Sequence, residues 1–229
     1  MTTRKQQRHR KGLPIWQESL ILVVVATVMA IVVKTFFLQA FYIPSESMQP
    51  TLLVNDKLLV QKVSLWSDEP ERGDIVVFDD PGDWLGPDEQ HEPTNVVSKG
   101  LSSVGLLPTG GHLIKRVIGV GGDHVQCCDG SGRIMVNGEP IDELYVLDPT
   151  AIRHREFDVT VDEGYLWVMG DNRDNSADSV AHLGDPGGGQ VSVDSVVGIA
   201  WVRMWPLNRM GGLDDAGEVF ENVPDVPME

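Results

Sequence analysis

The 229-residue sequence predicts a mainly β fold carried behind one N-terminal transmembrane helix. Three features predict it. A nearly uninterrupted apolar run, residues 20–33, follows a basic N-terminus. Beyond residue 40 no stretch of useful length repeats apolar residues at helical spacing. What recurs instead is short runs of β-branched, aliphatic and aromatic residues, cut by Gly, Asn, Asp and Pro, as hairpins require. A chain of this length can bury one good core without a second domain.

Residues 1–14 form a basic tail with Arg4, Lys5, Arg8, Arg10 and Lys11, and offer little to a core. Residues 15–38 are the expected anchor. Residues 20–33 alone are short for a hydrocarbon layer of about 30 Å. Lys34 can snorkel its amine to the interface, and Phe36, Phe37 and Leu38 then complete the span. Trp16 anchors the other face. The basic tail places the N-terminus in the cytoplasm and the body outside, by the positive-inside rule. A cleaved signal peptide competes with this reading, with Val28-Met29-Ala30 or Leu38-Gln39-Ala40 as its small-residue site. The apolar run continues past Ala30, so the uncleaved anchor is preferred.

The charge is uneven. Of 18 basic and 34 acidic residues, six basic and one acidic fall before residue 41. The remaining 12 and 33 give the body a net charge of −21. Such a surface argues against nucleic-acid binding, which needs basic patches. It suits a soluble domain beside an anionic bilayer. Cys127 and Cys128 are neighbours, so a disulfide between them cannot staple distant segments. With His124 they make a poor metal site. Their role reads as structural or incidental, with the redox state open. No cofactor or metal is expected.

The body, residues 39–210, reads as strands in order. Candidates are 57–63, 74–78, 112–119, 125–126, 133–140, 159–161, 165–169 and 196–202. Asn137-Gly138 is the favoured type I′ hairpin pair. Residues 79–111, rich in Gly, Pro and acids, are long for a loop and read as functional or mobile. Trp201 and Trp205 read either as core or as an apolar rim toward lipid. Residues 211–229 are acidic and read as a frayed tail.

The stretch that organises the rest is Pro44-Ser45-Glu46-Ser47-Met48-Gln49-Pro50-Thr51-Leu52. Two prolines exclude helix interior and favour an extended, stiff platform for Ser47. That suits a nucleophile held at reach of a base, although a surface Ser/Pro turn fits the same residues. Strand 112–119 places Leu113, Lys115 and Val117 on one face and Ile114, Arg116 and Ile118 on the other. Lys115 thus has apolar neighbours. Desolvation there favours the neutral amine, which makes it a candidate base. Gly170-Asp171-Asn172-Arg173-Asp174-Asn175-Ser176-Ala177-Asp178-Ser179 is dense in turn formers. It reads as a surface loop, or as a rigid loop that delivers Ser176 and Asp178 to a site.

Four stretches in order resemble the boxes of bacterial type I signal peptidases. They are the serine stretch, Arg72-Gly73-Asp74-Ile75-Val76, residues 113–119, and residues 170–179. The resemblance covers about residues 19–209. It implies a β-ribbon or barrel catalytic body and a membrane-bound serine endopeptidase that removes signal peptides from secretory preproteins. It implies Ser47 as nucleophile and Lys115 as general base. The Ser47 N–H and the Ser45 hydroxyl would hold the oxyanion, and Ser176 would orient the Lys115 amine. Asp178 and Arg116 would form a supporting ion pair. The implied partners are preproteins and the lipid bilayer.

Two departures from the family pattern stand out. Glu46 occupies a position that is commonly glycine, and is expected to point away from Lys115. Val180 stands where the family usually has arginine, so support behind Ser176 must be simpler or use another cation. Two other readings fit the residues: a self-cleaving Ser–Lys protease, and a single-pass surface binding protein without activity.

Overall fold

The structure is a computed structural model describing residues 14–62, 69–82, 84–85, 111–213 and 216–225. It divides into two units, residues 1–37 and 38–229.

The first unit contains helix α1, Ile15–Phe36. Its 22 residues correspond to about 33 Å of helix at 1.5 Å per residue. Residues Ile15–Val33 are long and apolar enough to cross a membrane. The Thr27 hydroxyl donates to Val23 O at 2.8 Å, so it needs no water in an apolar layer. Phe37 N donates to Val33 O and closes the helix. Leu38, expected to finish the span, instead opens a strand and pairs with Gln61. The helix is already long enough, and the sheet supplies partners for the backbone that follows. The expected snorkelling of Lys34 and the tail before residue 14 lie outside the described residues.

The second unit is built on twelve strands among the described residues. They are β1 Leu38–Tyr42, β2 Lys57–Gln61, β3 Ile75–Asp79, β4 His112–Val120, β5 His124–Cys127 and β6 Ile134–Val136. There follow β7 Glu139–Pro140, β8 Phe157–Thr160, β9 Tyr165–Met169, β10 Val191–Ser192, β11 Val196–Trp205 and β12 Gly211–Gly212. One sheet runs β1-β2-β11-β3-β4-β9-β10, with β12 beside β11. The other runs β7-β6-β5-β8. Every pairing is antiparallel. This is the mainly β body that the sequence predicts.

β4 lies between β3 and β9 and is buried from Leu113 to Gly119. Both of its faces meet apolar layers. Leu113 and Val117 join Val76 and Phe78 in one cluster. Ile114 joins Ile75 and Val77 in another. Lys115 pairs with Val76 across the ladder, so it rises from the first of these faces. Asn137 and Gly138 have φ of 53° and 83°, the positive values a type I′ turn needs, and they join β6 to β7.

The C-terminal segment is not frayed where it is described. Helix α2, Gly217–Phe220, and Val223 bring two buried side chains onto the core of the smaller sheet. Asp225 meets Arg72 at 3.1 Å. Acidic composition concealed an apolar pair spaced three residues apart. Most of the 79–111 insertion lies outside the described residues. Its start is fixed: Trp84 is buried, packs edge-on to Phe78 and stacks on His182.

Candidate active site

Ser47 lies in the connection from β1 to β2. Met48 and Leu52 are both fully buried, in the cluster that holds Ile43, Leu58 and Ile114. Side chains four residues apart share one side on a strand as well as on a coiled segment, so the backbone hydrogen bonds decide whether the chain coils. It does: Leu52 N donates to Met48 O at 2.8 Å, and Gln49 N to Glu46 O at 3.1 Å. The stretch is therefore a run of turns, not the extended platform expected from its prolines. The loop is closed below by Ile43 N to Asp56 O, 3.0 Å, and Asn55 N to Ile43 O, 2.9 Å. Buried Asp56 accepts from Leu53 N at 2.9 Å and faces Arg209 Nη1 at 3.0 Å.

The turn presents Ser47 to β4. Lys115 Nζ lies 2.9 Å from Ser47 Oγ. Lys115 is 4% exposed and Ser47 7%, so bulk water is largely excluded from this contact. Ser45 Oγ lies 3.3 Å from Ser47 Oγ. Residues 170–172 back the turn. Asn172 N donates to Ser47 O at 3.0 Å, and Asn172 Nδ2 to Glu46 O at 3.1 Å. Gly170 is packed so closely that a Cβ there would collide with Ser176 Oγ and Ser47 O. A serine held from behind at two carbonyls, with a buried amine in front, has the geometry of an activated nucleophile.

A family model described as "Signal peptidase, peptidase S26" matches residues 16–205. The chain belongs to that family. It is 40% identical over 220 residues to signal peptidase I of Mycobacterium tuberculosis, covering 85% of this chain and 74% of the relative. It is 38% identical to a probable signal peptidase I of Mycobacterium leprae, covering 89% and 81%. A probable signal peptidase I-2 of Synechocystis is 39% identical, covering 89% and 79%.

In this signal peptidase the polar scaffold behind the serine differs from the pairing expected. Arg116 does not meet Asp178. Its Nε and Nη2 donate to Asp171 Oδ1 and Oδ2 at 3.0 and 2.9 Å, and its Nη1 to Gly73 O at 2.8 Å. The Arg116 guanidinium also lies over the Tyr145 ring, 4.1 Å from its centre. Thr51 Oγ1 donates to the same Asp171 carboxylate at 2.5 Å. Asp171 thus ties the serine turn to β4. The two-toothed fit of guanidinium to carboxylate explains why Arg116 chooses it. Asp171 and Asn172 stand in a box the sequence reading singled out, yet their roles were not read from it. A turn-forming Asp carries no mark of the cation it will meet.

Asp178 is fully buried; its Oδ2 accepts from Gly170 N at 3.2 Å. Its cation is Arg155, whose Nη1 lies 3.6 Å from Oδ1. Ser176 Oγ is buried against Gly170 and has no hydrogen-bond partner among the described residues, so the expected contact with the Lys115 amine is not formed. Glu46 is exposed, and its Oε2 accepts from Asn175 Nδ2 at 3.4 Å. The carboxylate is therefore engaged away from Lys115, as its position required.

A second set of charges braces the same loop. Arg173 donates from Nε to Gly170 O at 2.8 Å and from Nη1 and Nη2 to Glu143 at 2.8 and 2.6 Å. Burial opposes the Arg173 charge, but Glu143 outweighs it and raises the pKa. Tyr145 donates to Glu143 Oε1 at 2.7 Å. Its burial, reinforced by the Glu143 charge, pushes the phenol well above its ordinary value. Cys127 and Cys128 form a disulfide beyond this network, and His124 pairs with Asp158 at 2.6 Å. Among the described residues no cluster of side chains has a metal-ligating arrangement.

Proposed function

We propose that this signal peptidase cuts the signal peptides of exported preproteins with Ser47 as nucleophile and Lys115 as general base. The observation that carries the reading is the 2.9 Å approach of a buried amine to the serine oxygen. Burial among apolar residues favours the uncharged amine. Neutral Lys115 Nζ takes the Ser47 proton as Oγ bonds to the scissile carbonyl carbon. The oxyanion draws on the Ser47 N–H and the Ser45 hydroxyl, 3.3 Å from the nucleophile. The C–N bond breaks as Lys115 returns the proton to the leaving amine. The same amine then activates the water that hydrolyses the Ser47 ester.

The substrate lies extended along strand edges, with small side chains at the first and third positions before the bond. Helix α1 anchors the enzyme, with its basic tail in the cytoplasm and the catalytic body outside. Trp201, Trp205, Leu207 and Met210 are exposed and form an apolar rim suited to lipid.

The test is purified protein in detergent or lipid with a model preprotein, read by product mass. Wild type yields the mature chain. Ser47→Ala and Lys115→Ala yield none, while circular dichroism shows both folded. Cleavage by folded Ser47→Ala removes the proposal.

A further inference from the structure

Asp178 is 0% exposed, and an ionised carboxylate buried without a partner charge and hydrogen bonds is costly. The neighbouring cations are assigned elsewhere: Arg116 holds Asp171, and Arg173 holds Glu143. Position 180, beside the Asp178-Ser179 pair, is Val180, which packs on the apolar core of the smaller sheet. The guanidinium that faces Asp178 arrives from another part of the chain. Arg155 follows the 3-10 turn Ala151–His154, and its N–H donates to Ile152 O at 2.9 Å. Ile152 is itself buried in the core, so the backbone that launches Arg155 is held firmly. Arg155 Nη1 then lies 3.6 Å from Asp178 Oδ1.

From Asp178 the contacts lead to the nucleophile. The other carboxylate oxygen accepts from Gly170 N. Gly170 sits against both Ser176 Oγ and Ser47 O with no room for a methyl group. A shift of Asp178 would move Gly170, and with it the wall behind the serine. We propose that Arg155 is a positioning residue for catalysis: it neutralises Asp178 from a distant turn and so fixes Gly170 behind Ser47. The cation needed beside Asp178 has been supplied across space rather than from position 180, two residues along the chain. This inference rests on Ser47 being the nucleophile.

The test measures kcat and KM for preprotein cleavage in Arg155→Ala, Arg155→Lys, Asp178→Asn and the double variant Arg155→Ala/Asp178→Asn. Misplacement at one remove from the reacting atoms lowers kcat by roughly tenfold or more. Arg155→Ala should show such a loss with KM within about twofold, since the cleft that binds peptide is untouched. Arg155→Lys keeps the charge and should recover most of the rate. The double variant should lose little more than the worse single one, because both changes break one link. Moving the cation back, as Arg155→Ala/Val180→Arg, should restore activity in part. Thermal unfolding checks that each variant is folded. If Arg155→Ala does not fold, Arg155→Lys and the Val180→Arg double variant carry the test. Unchanged kcat in folded Arg155→Ala, with a loss in Asp178→Asn, overturns the proposal. Losses that multiply in the double variant overturn it too. Activity in Ser47→Ala would instead remove the reading beneath it, and is distinguishable because Arg155 is then irrelevant to rate.

Discussion

Both sheets bury apolar clusters, but the larger one adds a dense set of buried polar and charged side chains. The smaller sheet packs Val125, Ile134, Val136 and Phe157 against Ile118 and Trp167, and the C-terminal Phe220 and Val223 cover it. Its interior is apolar area. Around β4, β9 and the loop after β9, Ser47, Lys115, Arg116, Asp171, Asn172, Arg173, Ser176, Asp178 and Ser179 are all buried. Apolar burial is non-directional and forgiving of small shifts. Buried charge is sensitive to the position of each partner, because a lost partner leaves a group that water cannot reach. The chain concentrates this sensitivity around Ser47, the proposed nucleophile. Stability and activity should therefore separate by region.

The largest expected effect comes from breaking the buried ion pair that ties the serine turn to β4. Asp171 takes both arms of the Arg116 guanidinium and the Thr51 hydroxyl. Asp171→Ala leaves Arg116 buried without that carboxylate. Breaking one side of a buried pair costs roughly 3–5 kcal/mol, and the serine turn loses a tether as well. Both the unfolding midpoint and cleavage should fall together. Asp171→Asn keeps the shape, and should hold more stability than activity. If Asp171→Ala unfolds at the wild-type temperature, the contrast between the two regions is wrong.

Strands and the two partners of the Lys115–Ser47 contact were legible in the sequence for the same reason: each is a local pattern. Short β-rich runs mark β4 and β9, and Asn137-Gly138 marks its hairpin. Ser47 and Lys115 are marked by the stretches around them. What escaped was set mainly by contacts between distant segments. Turn hydrogen bonds from Leu52 N to Met48 O and from Gln49 N to Glu46 O coil the serine stretch despite its prolines. The choice of Asp171 over Asp178 by Arg116 depends on where two loops meet. Arg155 lies on a short turn without periodicity, and nothing near it in the chain points to Asp178. Phe220 and Val223 were hidden by the acids around them.

A smaller effect, and the converse one, belongs to the apolar sheet. Ile134 is fully buried there, with no polar contact to the site. Ile134→Ala removes three carbons and leaves a cavity, a loss of about 3 kcal/mol. The unfolding midpoint should drop by several degrees, as about 1 kcal/mol corresponds to roughly 2–4 °C for a domain of this size. Well below that midpoint, kcat and KM should match wild type. A fall in kcat in the folded variant would show that the two sheets are coupled, and would merge the regions distinguished above.

The smallest effect is expected beside Ser47 itself, which sharpens the comparison further. Nearness to Ser47 is not what makes a charge matter; burial is. Glu46 adjoins the serine, yet it is exposed and touches Asn175 through a long 3.4 Å contact. A contact of that length in water contributes less than about 1 kcal/mol. The backbone carbonyl of residue 46, held by Asn172 Nδ2, survives any side-chain change. Glu46→Ala should therefore leave the unfolding midpoint unchanged and kcat/KM within about twofold of wild type, measured on the same preprotein. Complete loss of cleavage would mean that the carboxylate takes part in catalysis. Exposure would then no longer separate the charges that hold the site from those that merely surround it.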